Sequence, residues 1–443
     1  MAGPPCPTTV STKQARIANR AKQMPGVPLR TLVHHIDLVW LREAHRRTRK
    51  TGAVGIDEQT AEAYALDLDA NLVSLLERLK SGQYRAPPVR RVEIPKGNGE
   101  SRPIGIPTFE DKILQRAVAM VLEPIYEQDF YNFSYGFRPG RSSHDCQMAL
   151  RGGLWREGGG WVLDVDVSKF FDTLDHRALR DLLCLRVADR KIVQLVGKWL
   201  RAGVLDDGVV THPSRGTPQG GVISPLLANI YLHHVIDHWW IKDVRPRLCG
   251  HAFMVRYADD LLLMFKNQRD ALRVWDVLPK RLRRFGLTLH PEKTQLIDFR
   301  RPPSGGGEPR PGTFDFLGFT LYWGWSHRKR WVLKAKTAKS RLRRALCAMN
   351  TWMKRQRHQP LGWQARELGQ RLRGHYAYYG IRGNAAAIWA YYAEVINLWK
   401  KWLCRRSHRA WLTWSTFKRM LARHPLPRPR IRCGARQLRL ANL

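Results

Sequence analysis

Asp166, Asp259 and Asp260 are the residues of this sequence whose types and spacing best suit chemistry. Asp259 and Asp260 lie between two largely apolar runs, Met254–Tyr257 and Leu261–Phe265, each the length of one buried strand. The simplest geometry is a hairpin with the acids at its turn. Adjacent carboxylates beside an apolar sheet repel each other and lose hydration, which raises their pKa unless a cation compensates; a divalent metal is the natural one. Taken alone, the pair reads more readily as a solvated strand end, since turns are rich in Asp. In Trp161–Asp172 acidic and apolar residues alternate, so Asp164 and Asp166 share one face of a strand while Val165 and Val167 take the other. One carboxylate from this strand and one from the turn would bridge two Mg²⁺ ions, the arrangement that phosphoryl transfer requires.

Cations and glycines elsewhere could serve such a centre. Two β-rich runs flank Gly97-Asn98-Gly99, the signature of a hairpin. Lys96 and Arg102 project from the two sides of that turn, as a grip for a triphosphate or as an ordinary solvated tip. Gln219 stands beside Gly220 and Gly221, where backbone can approach a ligand closely, and a helix over Ser224–Asp237 would hold the segment steady. Phe133–Ser143 mixes aromatics, glycines and arginines, suited to stacking on bases or to loop packing. Phe171, read alone, is a core residue.

The elements that must position these groups are mixed. Helical spacing covers Leu29–Lys50, Thr60–Ser81, Asp111–Glu127 and Asp270–Phe285, and strands follow Thr294 and cover Phe314–Leu321. Beyond about Arg328 strand signals vanish. Basic helices over Lys334–Arg357, Trp363–Tyr379 and Ala385–Cys404 take over, with a core expected from Leu342, Leu346, Leu368, Leu372, Tyr376, Ile388, Tyr392 and Ile396. The fold class is α+β.

Composition narrows the partner. A net charge of +39, interleaved with 17 Trp and 13 Tyr, suits a polyanion whose phosphates pair with Arg and Lys. A hydrophobic content of 44% excludes a disordered chain. No apolar run is long enough to span a membrane. Seven scattered cysteines without a C-x-x-C pair argue against a zinc ribbon or a disulfide framework and fit a reducing cytosol. The first 36 residues hold no Asp or Glu; they read as a basic RNA-contacting tail in a bacterial cytoplasm, with a mitochondrial transit peptide as the open alternative. Pro4, Pro5, Pro7, Pro25 and Pro28 would interrupt a long helix there.

The order of these stretches resembles a known family. Tyr257-Ala258-Asp259-Asp260 resembles the Y-x-D-D motif of reverse transcriptases, and Asp166–Asp172 the aspartate block that precedes it. Together with Ile94-Pro95-Lys96, Arg102–Pro107, Ser134–Pro139, Pro218-Gln219-Gly220 and Phe316–Phe319, the run is similar to the group II intron-encoded reverse transcriptase/maturase family over residues 29–430. The resemblance implies a right-hand polymerase. Its fingers would occupy 29–155 and its palm, with an antiparallel sheet, 156–325. An α-helical thumb that doubles as the maturase domain would take 328–424, and basic tails would lie at 1–28 and 425–443. It implies Asp166, Asp259 and Asp260 as catalytic aspartates, with Asp166 and Asp259 holding two Mg²⁺ ions and Asp260 the more dispensable. Lys96, Arg102 and Gln219 fall on nucleotide-binding positions, and Phe171 on the bulky residue that excludes a 2′-hydroxyl.

The implied partners are the intron RNA or another RNA template, a DNA primer and target, and deoxynucleoside triphosphates; a homodimer is compatible with it. Many relatives carry a cysteine-paired H-N-H endonuclease after the thumb. No such cluster follows Arg430 here, so the expectation is a primer supplied by a nick, a fork or single-stranded DNA. Two rival readings share the sequence: a splicing maturase with a dormant polymerase, and a stand-alone enzyme of DNA repair or defence.

Overall fold

Side-chain caps set most helix starts in the computed structural model, which describes residues 9–95, 101–206, 209–211, 216, 220–303, 312–407 and 411–431. Thr9 accepts from the Thr12 amide and opens helix α1, Val10–Gln23. This segment was expected as a tail. Instead Val10, Ile17 and Ala21 make one buried face, and the prolines fall outside the helix rather than within it. Leu29 bridges to Val187, and Asp37 caps α2, Leu38–Arg47, so the helix expected from Leu29 starts nine residues later. The next expected helix is broken at Asp67 into α3 (Ala61–Leu66) and α4 (Leu68–Ser81), and Gly82 closes α4 at φ +80°.

Strands β1 (Val89–Pro95) and β2 (Ser101–Ile106) form the expected antiparallel hairpin, with Ile94 opposite Arg102. Helix α5, Phe109–Asp129, is buried along most of its length and packs against α1, α2 and α3. There follow α6 (Ser143–Glu157, opened by a Ser142/Asp145 capping box), β3 (Trp161–Val165), α7 (Phe170–Thr173), α8 (His176–Cys184), α9 (Arg190–Leu200), β4 (Val204–Asp206) and β5 (Val209–Thr211). Helix α10, Ser224–Leu232, continues as a π-helical turn over His233–Asp237.

Next come β6 (Ala252–Tyr257), β7 (Asp260–Phe265), the basic amphipathic α11 (Gln268–Arg283), β8 (Gln295–Asp298), β9 (Phe314–Phe316), β10 (Phe319–Trp325) and β11 (Trp331–Thr337). The chain ends in α12 (Lys339–Gln356), α13 (Leu361–Tyr379), α14 (Ala385–Leu403) and α15 (Trp414–Arg423). The sheets run β2-β1-β4-β5, β6-β7-β3-β8 and β11-β10-β9. Among the described residues no helix is long and apolar enough to cross a membrane.

Two compact units divide the chain: residues 1–141, 164–262 and 272–295, and residues 142–163, 263–271 and 296–443. The first holds Asp166 and the Asp259 turn. The second holds the C-terminal helices, whose core contains the expected Leu368, Leu372, Tyr376 and Ile388, with Leu342, Leu346, Tyr392 and Ile396 only partly buried. On α14 the buried stripe is Ile388, Tyr391, Val395, Trp399 and Trp402, one residue away from the expected Tyr392 and Ile396. Trp399 fixes that rotation by donating its indole N–H to Gln364 at 2.9 Å. Strand β11 corrects the expectation that strands end before Arg328. Lys334 and Lys336 alternate with buried Ala335 and Thr337, a period of two hidden within a basic composition.

Arg186 ties down the N-terminal helix. It is 3% exposed, donates to the carbonyls of Ala21, Met24 and Val27 at 3.0, 2.7 and 2.7 Å, and pairs with Asp129 at 2.6 Å. Arg186→Met strands Asp129 and three carbonyls. It is expected to cost about 3–5 kcal/mol in denaturant unfolding, as for other broken buried pairs, with early protection loss in hydrogen exchange confined to residues 10–23.

Candidate active site

Strands β6 and β7 turn over at Ala258-Asp259, with Ala258 at φ +56°. Apart from Arg256 and Asp260 both flanking strands are apolar and largely buried, so the turn is anchored from both sides. Asp259 is half-buried, whereas Asp260, the first residue of β7, is exposed; neighbours along a strand point to opposite faces. Burial pushes the Asp259 carboxyl above the ordinary carboxylate range, the negative charge of Asp166 adds to that rise, and Arg102 opposes it. The two aspartates and Arg102 are therefore within electrostatic reach of one another.

Asp166 follows the end of β3 rather than sitting within it. Its main chain is pinned by the 288–294 segment: the amide donates to Thr294 Oγ1 at 3.3 Å, and the carbonyl accepts from the His290 amide at 2.8 Å. Its Oδ2 lies 3.3 Å from Lys293 Nζ, a pair open to solvent on the lysine side. Such an exposed pair stabilises by at most about 1 kcal/mol.

The carboxylates fit a divalent cation. Burial and then Asp166 raise the Asp259 carboxyl, and the rise persists although a backbone hydrogen bond, Arg102 and Arg256 oppose it; a bound cation would relieve it further. Among the described residues no group of three or more His, Cys, Asp and Glu is placed to hold a metal. Mg²⁺ is commonly held by one or two carboxylates, completing its shell with water and substrate phosphates.

Phe171, on α7, is 9% exposed and meets Phe170 edge to face at 5.2 Å. Gly216 lies against this helix at φ +89°, where an added Cβ would come within 2.9 Å of the Asp172 carbonyl oxygen, and its amide donates to the Leu174 carbonyl at 2.7 Å. Gly220 lies against β2, where a Cβ would meet the Gly105 carbonyl oxygen at 2.6 Å. Lys96 and Gln219 fall outside the described residues.

Several residues near the acids carry no role in the sequence reading. Lys293 and Thr294 hold Asp166, and their spacing alone carries no signal. Arg256, 0% exposed beneath the turn, could have been found: a charge inside an otherwise apolar strand is rarely buried unless paired. A shifted carboxyl is not sufficient to mark the site. Asp111 is pushed up to about 6 by burial, yet it accepts from Tyr84 at 2.5 Å, Trp199 at 2.6 Å and Gln115 at 2.9 Å and is a satisfied structural acid.

The family profile described as reverse transcriptase (RNA-dependent DNA polymerase) matches residues 94–321. The chain is similar to protein YkfC of Escherichia coli K12, 36% identical over 294 residues that cover 59% of this chain and 77% of YkfC. It is similar to the group II intron-encoded protein LtrA of Lactococcus lactis, 43% identical over 184 residues, 41% of this chain and 30% of LtrA. Nuclear intron maturase 1 of Arabidopsis thaliana is 30% identical over 129 residues, 28% of this chain and 18% of that protein. The matched span of the profile contains the Asp166 strand end, the Asp259 turn and the β1–β2 hairpin, so the chain belongs to the reverse transcriptase family, among the group II intron-encoded reverse transcriptases and maturases.

Proposed function

We propose that this chain copies RNA into DNA as a right-hand polymerase, and that its basic C-terminal helices bind the intron RNA as a maturase. The observation that carries the reading is the β6–β7 turn bearing Asp259 and Asp260 and the β3 strand end bearing Asp166, both inside the span 94–321 that matches the reverse transcriptase profile. Asp166 and Asp259 would hold two Mg²⁺ ions, with Asp260 in support. Bound there, they would supply a lowered pKa at the primer 3′-hydroxyl and charge neutralisation at the triphosphate. Lys96 and Arg102 balance the β and γ charges, Gln219 supports the incoming nucleotide through its segment, and Phe171 excludes a 2′-hydroxyl. Lys293 and Thr294 hold Asp166 at the end of its strand, so the carboxylate is oriented before substrate arrives. The RNA role rests on the charge of +39 and on the names of LtrA and the Arabidopsis maturase; in it the protein assists splicing and copies the intron during retrotransposition.

Extension of a DNA primer on an RNA template with Mg²⁺ and deoxynucleotides tests the reading. Template-dependent product is expected. A protein that promotes splicing of a group II intron but extends no primer would leave a maturase with a dormant polymerase.

A further inference from the structure

Arg256 has a side chain buried out of reach of any substrate, yet it is bonded to the turn that carries Asp259. Its Nε and Nη2 donate to both oxygens of Asp237 at 2.8 and 2.5 Å. Its Nη1 donates to Asn229 Oδ1 at 2.9 Å and to the Ala258 carbonyl at 3.0 Å. Asp237 is 0% and Asn229 1% exposed. The amide of Asn229 in turn donates to the Gly136 carbonyl at 2.7 Å.

The main chain repeats this connection. The Arg256 amide donates to the Phe133 carbonyl at 2.8 Å, and the Tyr135 amide donates to the Arg256 carbonyl at 2.9 Å. Gly136 then passes so close to the turn that a Cβ on it would collide with the Ala258 nitrogen and reach the Tyr257 carbonyl carbon at 2.9 Å. Arg138, itself paired with Glu127, holds the loop by donating to the carbonyls of Tyr131 and Ser134.

Two features say that this network does more than hold the fold. Ala258 sits at φ +56°, a left-handed conformation that strains a non-glycine residue and persists only where the surroundings impose it. Its carbonyl is the acceptor Arg256 reaches, one residue before Asp259. Asp237 lies in the π-helical turn that follows α10, and such local widenings of a helix gather at functional sites. Here the widening lets Asp237 face the guanidinium that Asn229 also faces. A buried ion pair is poor value as a stabiliser, since apolar replacement is often neutral.

We infer that Arg256 is a positioning residue for catalysis: oriented by Asp237 and Asn229, it holds Ala258 and so fixes where the Asp259 carboxylate points. The inference rests on the proposed role of Asp259. Loop 133–138 shares the task through Gly136 and Asn229.

The test uses full-length Arg256→Met/Asp237→Leu, which removes both charges together, and Arg256→Lys, which keeps a cation opposite Asp237 but not the fork that also reaches Ala258. Primer extension on an RNA template gives kcat and KM for the deoxynucleotide, and thermal melting reports the fold. Both variants are expected to remain folded, with kcat lowered about 10- to 100-fold, the scale of a misplacement of up to about 1 Å at a reacting centre, and KM within about threefold. A folded variant with wild-type kcat, or one impaired through KM alone, overturns the inference. Loss of folded protein in both variants overturns it too, because the role would then be structural. Asp259→Asn is run alongside. Undiminished extension by that variant defeats the role of Asp259 on which the inference rests, whereas its inactivity beside fully active Arg256 variants defeats only the positioning role.

Discussion

Asp259→Asn is expected to lower primer extension by about three orders of magnitude or more while raising the melting temperature of the metal-free protein near neutral pH. The activity loss follows from the role proposed for the carboxylate. A metal's charge stabilisation at a phosphoryl centre amounts to several kcal/mol, and each ~1.4 kcal/mol is a factor of ten in rate. The stability gain follows from the direction of the Asp259 shift, upward through burial first and Asp166 second. With a folded pKa above the unfolded one, the protein binds the proton more tightly folded than unfolded. The corresponding stability is complete below the unfolded pKa of about 4 and is lost as pH rises through the folded value. Asn carries no charge to desolvate and does not repel Asp166. The difference in melting temperature between variant and wild type should therefore vanish at low pH, open as pH rises through the folded pKa, and close again when Mg²⁺ is added to the wild type. Asp260→Asn, at an exposed position, is expected to cost less activity and to leave the melting curve near wild type. An Asp259→Asn protein that extends primers normally would show that the acid pair is only a strained turn.

How much of this was legible in the residues depends on how far each signal reaches along the chain. The hairpin around Asp259 and the β1–β2 hairpin are local patterns of apolar runs around a turn, and both formed where the spacing put them. Helix existence was legible, but helix starts moved wherever a cap competed with periodicity. Asp37 opens α2 well after Leu29, and Asp67 divides one expected helix into two. The first helix was hidden because prolines at both ends of 1–28 masked a short amphipathic stretch whose partner, α5, lies far along the sequence. Strand β11 was hidden by the lysines on its outer face. At the proposed site the acids were singled out by the motifs placed in order around them, since an Asp-Asp pair alone reads as a solvated strand end. The groups that hold them were not announced. Lys293 reaches Asp166 from a distant segment, and Asn229 and Asp237, from one helical stretch, meet Arg256 while Gly136, from another, accepts from Asn229. Such convergence is a property of the tertiary fold, and one chain without its contacts carries only the hint of an arginine in an apolar strand.

Phe171→Ala is expected to admit ribonucleotides, lowering the preference for deoxynucleotides in kcat/KM by about 100-fold, or ~2.8 kcal/mol. Phe171 follows Asp166 by five residues, and Lys169 at φ +45° turns the chain from the strand end into α7. The ring is 9% exposed, at the margin of the core rather than deep within it, a setting in which one face can pack while an edge meets a ligand. Exclusion by such a ring is steric. It acts on the 2′-hydroxyl alone, so the deoxynucleotide KM should hold within a few fold while the ribonucleotide KM falls. Truncation also removes the edge-to-face contact with Phe170 and part of the local packing, and Phe→Ala changes in cores cost about 3–5 kcal/mol. Phe171→Val is the control for that damage: it restores part of the packed volume while still opening space beside the sugar, and it should show an intermediate preference with a smaller loss in melting temperature. Discrimination that stays at the wild-type ratio in both variants would place the gate in another residue. A parallel fall in the efficiency of both substrates would mean that the ring supports α7 and the Gly216 segment against it, not the choice of sugar.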